Sequence, residues 1–213
     1  MIAVAVLAAS AASAPVPTAS MGSIVQANNA SLNGLPAVNR ATISSGDTLA
    51  TENAGALRAQ LGSSQIYLFA NSSVSVNHTA SGFSADLASG SVLLSSGAGQ
   101  TYQVLADGAV VQPKSNQKSV AQISWVSPTE LMLTSRQGDL EVTMGAETQT
   151  VNEGSSYRMM IAPASQPGAS PAGQPASPSG GGSSAFYLVA ISVVAAGTGV
   201  ALWRAFESTS STN

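Results

Sequence analysis

The chain of 213 residues has no cysteine. This excludes disulfides, thiolate metal sites and thiol nucleophiles. It has one histidine, His78, too few for a histidine zinc site or for a paired imidazole mechanism. Aromatic residues are scarce, at 5%, and charged residues scarcer than usual, at 8%, against roughly a quarter in an ordinary soluble domain. The 7 basic and 10 acidic side chains leave a net charge of −3. A nucleic-acid binder needs a basic face, so that class is excluded as well.

The missing charge is unevenly distributed. No Lys, Arg, Asp or Glu precedes Arg40, and none lies between Arg158 and Arg204. The stretch from Arg40 to Arg158 holds fifteen of the seventeen charged residues, as a mildly charged folded domain would, and the two flanks need separate explanations. Toward the C-terminus, Ala185–Trp203 (AFYLVAISVVAAGTGVALW) is a run of nineteen residues without a charge. As a helix it would be about 28 Å long, close to the thickness of a bilayer core. Phe186 and Tyr187 at one end and Trp203 at the other fit the two interfaces, and Arg204 follows at once. The reading is a transmembrane helix over 185–203 with a short cytoplasmic tail over 204–213. Ala195, Ala196, Gly197 and Gly199 would allow helix–helix self-association. At the other end, MIAVAVLAASAASA is too short to span but suits the apolar region of a signal peptide. Ala12-Ser13-Ala14 has the form of a cleavage site. Residues 1–20 are therefore read as an export leader, which makes a type I membrane protein. Without export, the same span would make a tail-anchored one.

Residues 163–184 (PASQPGASPAGQPASPSGGGSS) hold half of the ten prolines and no apolar face. Nothing in such a segment offsets the entropy of ordering it, so it reads as a linker that holds the domain off the membrane. The domain, residues 21–162, has strand-like alternation in Val74–Val76, Phe83–Leu87, Ile123–Trp125, Leu131–Leu133, Leu140–Met144 and Tyr157–Ile161. Turn signals recur between them: Asn33-Gly34, Ser45-Gly46-Asp47, Ser81-Gly82, Ser89-Gly90, Asp107-Gly108, Gln137-Gly138-Asp139 and Glu153-Gly154. Gly55–Leu61, although it could form a helical turn, is read as a strand because it lies between two glycines. Many short strands with frequent turns predict an all-β domain: a sandwich, a roll or a solenoid.

The order of these pieces resembles the FecR domain. Gly46-Asp47-Thr48-Leu49-Ala50-Thr51 is similar to that family's opening. Gly55–Leu61, the Gly62-Ser63 turn, Ile66–Phe69 and Asn71–Val76 follow in the family's order. Further matches are Asp86–Leu94, Gly138–Val142 and Val151–Gly154. The chain departs from the pattern at Leu61, where the family has Asp before the Gly-Ser turn. It also departs in layout, with the β domain first and the span last. The resemblance implies a FecR-type β domain in a bacterial cell envelope, anchored to the inner membrane with the domain in the periplasm. It also implies a role in binding, sensing or scaffolding with an envelope protein as partner. A tail of ten residues is too short for a sigma-binding domain, so signalling of the iron-transport type would need a separate sigma/anti-sigma partner.

Nothing in the sequence converges on catalysis. His78 is expected in a surface loop after the Val74–Val76 strand. Asp47, Asp107, Asp139 and Glu153 fall in turns, where such residues serve backbone geometry. No nucleophile elbow, phosphate loop or calcium loop is present. Sequons at Asn29, Asn71 and Asn77 match chance in a serine-rich chain. Trp125 is expected in the core. The expectation is thus a non-enzymatic module with no catalytic residue, cofactor or metal. Two alternatives are a surface protein whose C-terminal sorting tail is processed, and an envelope enzyme using dispersed carboxylates.

Overall fold

The chain is described by a computed structural model at residues 20–97, 99–161 and 188–189. The described residues are all-β. The strands are β1 (Ser20–Leu32), β2 (Leu35–Pro36), β3 (Thr42–Ser44), β4 (Thr48–Leu61), β5 (Ser64–Leu68), β6 (Ser73–Thr79), β7 (Gly82–Ser89) and β8 (Ser91–Ser96). They continue with β9 (Thr101–Ala106), β10 (Ala109–Pro113), β11 (Ser119–Ser127), β12 (Glu130–Gln137), β13 (Leu140–Met144), β14 (Glu147–Val151), β15 (Ser156–Met160) and β16 (Leu188–Val189). No helix of the described residues is long and apolar enough to cross a membrane. The leader over 1–20 (Ser20 apart), the linker over 163–184 and the tail over 204–213 lie outside the described residues. So does the transmembrane helix expected over 185–203, except for Leu188–Val189, which are extended and paired with β15.

The architecture turns on β4. Its first residues, Thr48–Ala50, pair with β6, and its last, Leu57–Leu61, pair with β5, while β1 runs along the opposite edge. Between the two halves Glu52, Asn53 and Ala54 are exposed. Ala54 has φ 56° and the facing Asn29 φ 42°. These left-handed residues form a bulge that bends both strands. The sheet therefore forks at β4 into two arms. One arm runs β6-β7-β9-β10-β13-β14 and the other β5-β8-β11-β12-β15-β16. Neighbours are antiparallel except β7 and β9, which run parallel from Gly82↔Thr101 to Asp86↔Leu105.

The arms fold over one another because each strand presents alternate apolar residues to the same interior. One cluster contains Leu49 and Leu57 from β4, Val74 and Val76 from β6, and Phe83, Ala85 and Leu87 from β7. It continues through Val92 and Leu94 of β8, Ile123 of β11, Leu131 and Leu133 of β12, and Tyr157 and Met159 of β15. The arms are also tied by polar contacts. The Tyr102 hydroxyl of β9 lies 3.1 Å from Ser119 Oγ of β11, fully buried. The Trp125 indole N–H of β11 donates to the Leu87 carbonyl of β7 at 3.0 Å. The result is a rolled, nearly closed sheet.

The alternation expected at Val74–Val76, Phe83–Leu87, Ile123–Trp125, Leu131–Leu133, Leu140–Met144 and Tyr157–Ile161 falls in β6, β7, β11, β12, β13 and β15. Gly55–Leu61 is strand, as expected, but belongs to one long element with Thr48–Thr51. Three expectations need correction. His78 lies inside β6, paired with Phe83, rather than in a loop. Gly82 begins β7 rather than forming a turn, because the backbone of Thr101 lies against it in the parallel ladder. Trp125 is only partly buried at the edge of the core, because β11 bulges after it.

Candidate functional site

The acidic residues of the turns hold backbone. Asp47 Oδ2 accepts from the Ser44 amide at 2.7 Å, and its Oδ1 accepts from Asn33 Nδ2 at 2.8 Å. Asn33 Oδ1 in turn accepts from the Thr48 amide at 2.8 Å. Asp139 Oδ1 accepts from the Glu153 amide at 2.9 Å, and Glu153 Oε2 accepts from the Gly138 amide at 3.0 Å. These charge-assisted bonds hold paired turns together. Asp107, at φ 42°, and Gly108, at φ 85°, form the two-residue link between β9 and β10, the left-handed pair such hairpins need. Asp107 is exposed. His78 is exposed as well, and its amide donates to Ser45 Oγ at 3.0 Å. Asn29, Asn71 and Asn77 are exposed, the first two in left-handed conformation. These residues are not brought together. No group of three or more His, Asp or Glu suited to a metal occurs among the described residues.

Two clefts remain. The wider, about 810 Å³, lies between the arms and is lined by Asp86, Leu87, Leu105, Asp107, Trp125 and Pro128. Its tryptophan is already committed to the Leu87 carbonyl.

The second cleft, about 370 Å³, lies where the rolled sheet fails to close. Val142 and Met144 of β13 and Thr148 and Gln149 of β14 face Tyr157, Met159 and Met160 of β15 across it. This seam has three features of a binding surface. It is mainly apolar, with Glu147, Thr148 and Gln149 on its β14 side, and its three methionines have flexible thioethers that adapt to varied shapes. Met160 is 56% exposed beside the buried Met159. The Tyr157 hydroxyl is buried without a hydrogen-bond partner among the described residues. Burial, with Glu147 adding repulsion, pushes the Tyr157 phenol up from its usual range, so it stays a neutral donor.

The outer edge of β15 adds a fourth feature. β12 pairs with one edge of β15, and on the other edge Val189 faces Arg158 and Leu188 faces Met159. Alternation had identified Tyr157, Met159 and Ile161 as one face of a strand. It could not show that this strand lies between β12 and β16 near the end of one arm, facing β13 and β14 across a cleft.

No family model matches the chain, and no curated protein matches it. It is similar to two crystal structures of a candidate anti-sigma factor from Parabacteroides distasonis, at 1.65 Å and 2.50 Å resolution. The identities are 12% and 11%, and the TM-scores 0.47 and 0.46. Each similarity covers 53% of this chain and 54% of the other. The likeness thus spans about half the length of those proteins.

Proposed function

We propose that this chain is a non-catalytic FecR-like binding module of the bacterial envelope, anchored by its C-terminal apolar segment with the β domain outside the cytoplasm. On this reading it binds an extended apolar protein strand at the seam beside β15. The observation that carries the binding role is the seam itself, an apolar cleft next to a strand edge. Strand addition uses main-chain hydrogen bonds for affinity and side-chain pockets for selectivity; the seam supplies the pocket, and the outer edge of β15 already takes the short strand Leu188–Val189. The turn carboxylates support the non-catalytic part, since Asp47, Asp139 and Glu153 are engaged by backbone amides. The order of FecR-like motifs and the uncharged flanks support the location. A sensory role follows if the bound strand belongs to a signalling protein.

The absence of native cysteine makes a labelling test clean. Asn77→Cys places a thiol on exposed β6. A membrane-impermeant maleimide should label it in intact spheroplasts, and labelling only after lysis would refute the topology. In the same cells, a photoreactive residue at Met160 should give an envelope-protein adduct that one at Asn77 does not. Equal adducts at both positions, or none, would refute binding at the seam.

A further inference from the structure

We propose that the wider cleft, between the two arms, docks an extended segment of a partner protein by one of its arginine side chains. This cleft shares no residue with the seam, so the inference stands apart from the strand-binding reading above. Its carboxylates differ from those that hold turns. The side chains of Asp86 and Asp107 make no hydrogen bond or ion pair among the described residues. The fold puts the two on one surface. Asp86 of β7 is in register with Leu105 of β9. Their neighbours Ala85, Leu87, Val104 and Ala106 are buried, so alternation turns Asp86 and Leu105 to the outside of the roll. Asp107 follows two residues after Leu105, in the β9–β10 turn. An apolar side chain therefore adjoins both carboxylates.

Two exposed carboxylates alone would be a solvated surface, and the other arm supplies what they lack. Trp125 of β11 is held twice: its amide donates to the Gly90 carbonyl at 2.8 Å, and its indole N–H to the Leu87 carbonyl at 3.0 Å. With that N–H engaged, the indole offers the cleft its ring. Leu105, Trp125 and Pro128 make apolar walls, and none of the lining residues is basic, so nothing within the cleft offsets the two negative charges. An arginine side chain fits this combination. Its aliphatic stem lies along apolar walls, and its planar guanidinium stacks on an indole while bonding to carboxylates. A protein segment fits better than a free cation. The β7–β9 ladder ends at Asp86↔Leu105, and Leu87–Ser89 run on past it as extended backbone along the cleft. Such a wall suits the main chain of an extended segment, and about 810 Å³ leaves room for it beside the side chain.

The test uses the full chain in a non-ionic detergent. Trp203→Phe leaves Trp125 as its one tryptophan, so emission reports on the cleft. The probe is an acetylated and amidated pentapeptide with a central arginine flanked by serine and threonine. It should change Trp125 emission saturably, with a midpoint at or below about 1 mM. The same peptide with citrulline, which keeps the shape without the charge, should bind roughly tenfold more weakly. Asp86→Asn and Asp107→Asn should each weaken the arginine peptide about three- to fivefold, while Glu52→Gln, the same charge change on exposed β4, should leave it unaltered. Asn tolerates the left-handed conformation of position 107, so that turn is kept. No saturable change, equal midpoints for arginine and citrulline, or equal effects of all three substitutions overturn the inference. Agmatine, a guanidinium without a peptide main chain, should bind several-fold more weakly than the peptide; an equal midpoint would make a small cation the occupant and overturn the docking of a protein segment. Should the Asn variants lose their β circular dichroism signal, salt replaces them. The arginine midpoint should then rise several-fold between low salt and about 0.3 M, and the citrulline midpoint should not; a salt-independent arginine midpoint overturns the inference.

Discussion

The Thr51 hydroxyl holds the Ser72 amide at 3.0 Å while the Ser72 carbonyl accepts from the Thr51 amide at 2.8 Å. Thr51 Oγ1 also donates to the Phe69 carbonyl. This exchange sits where β4 changes partner from β6 to β5, so it pins the fork from which both arms grow.

Thr51→Val removes the hydroxyl and keeps the shape. It leaves the Ser72 amide without its side-chain acceptor, at a cost of about 1–3 kcal/mol for a buried unpaired group. Thr51→Ser keeps the oxygen and should cost less than about 1 kcal/mol. Urea denaturation of the two variants checks the order.

Gly90 links β7 to β8 at φ 77°, and a Cβ there would lie 2.4 Å from both the Asn71 carbonyl oxygen and Ser72 Oγ. Ser72 Oγ accepts from the Ser91 amide at 2.8 Å, so it cannot move away freely. Gly90→Ala therefore combines backbone strain with a clash and should cost about 2–4 kcal/mol. A thermal melt should show a loss of roughly 2–4 °C per kcal/mol.

Asp47→Ala removes the acceptor for Ser44 and Asn33 and should destabilise by about 1.5–3 kcal/mol, the range for hydrogen bonds to a charged group. Because Asp47 braces a turn remote in the sheet order from β15, the Met160 adduct yield should not change where the variant is folded. A lost adduct in a folded variant would give Asp47 a role in binding.

Burial pushes the Tyr102 phenol far above its usual range, against a smaller lowering by Ser119. The folded state therefore keeps a proton that the unfolded chain releases near pH 10. This stability is present below pH 10 and is lost as pH rises above it, at about 1.4 kcal/mol per pH unit. Tyr102→Phe should flatten the decline of urea midpoints between pH 10 and 11.5. An unchanged slope would mean that another group governs alkaline unfolding.

Much of the fold can be read along the chain. β6, β12, β13 and β15 alternate buried and half-buried residues over most of their length, and a period of two residues is a local property of a half-buried strand. β1 is different. Its thirteen residues bury only Ile24, so there is no alternation to read. It is strand because β4 offers it a full edge, which is a long-range fact. The roles of the turn carboxylates were half legible. Their place beside glycines marked them as turn residues, but the pairing of Asp139 with the Glu153 amide joins two separate turns.

By itself the sequence determined an all-β molecule without thiol or imidazole-cluster chemistry, with uncharged flanks on both sides of a charged middle. Those are properties of composition and of neighbours along the chain. Tertiary structure alone decided that the sheet forks at Thr51, that its arms roll together without closing, and that the opening lies between β13–β14 and β15. Strand pairing joins residues far apart in sequence, and a strand carries the same alternation whether its edge is covered or free. Only the order of strands in the sheet reveals which strands lie at the ends of its arms.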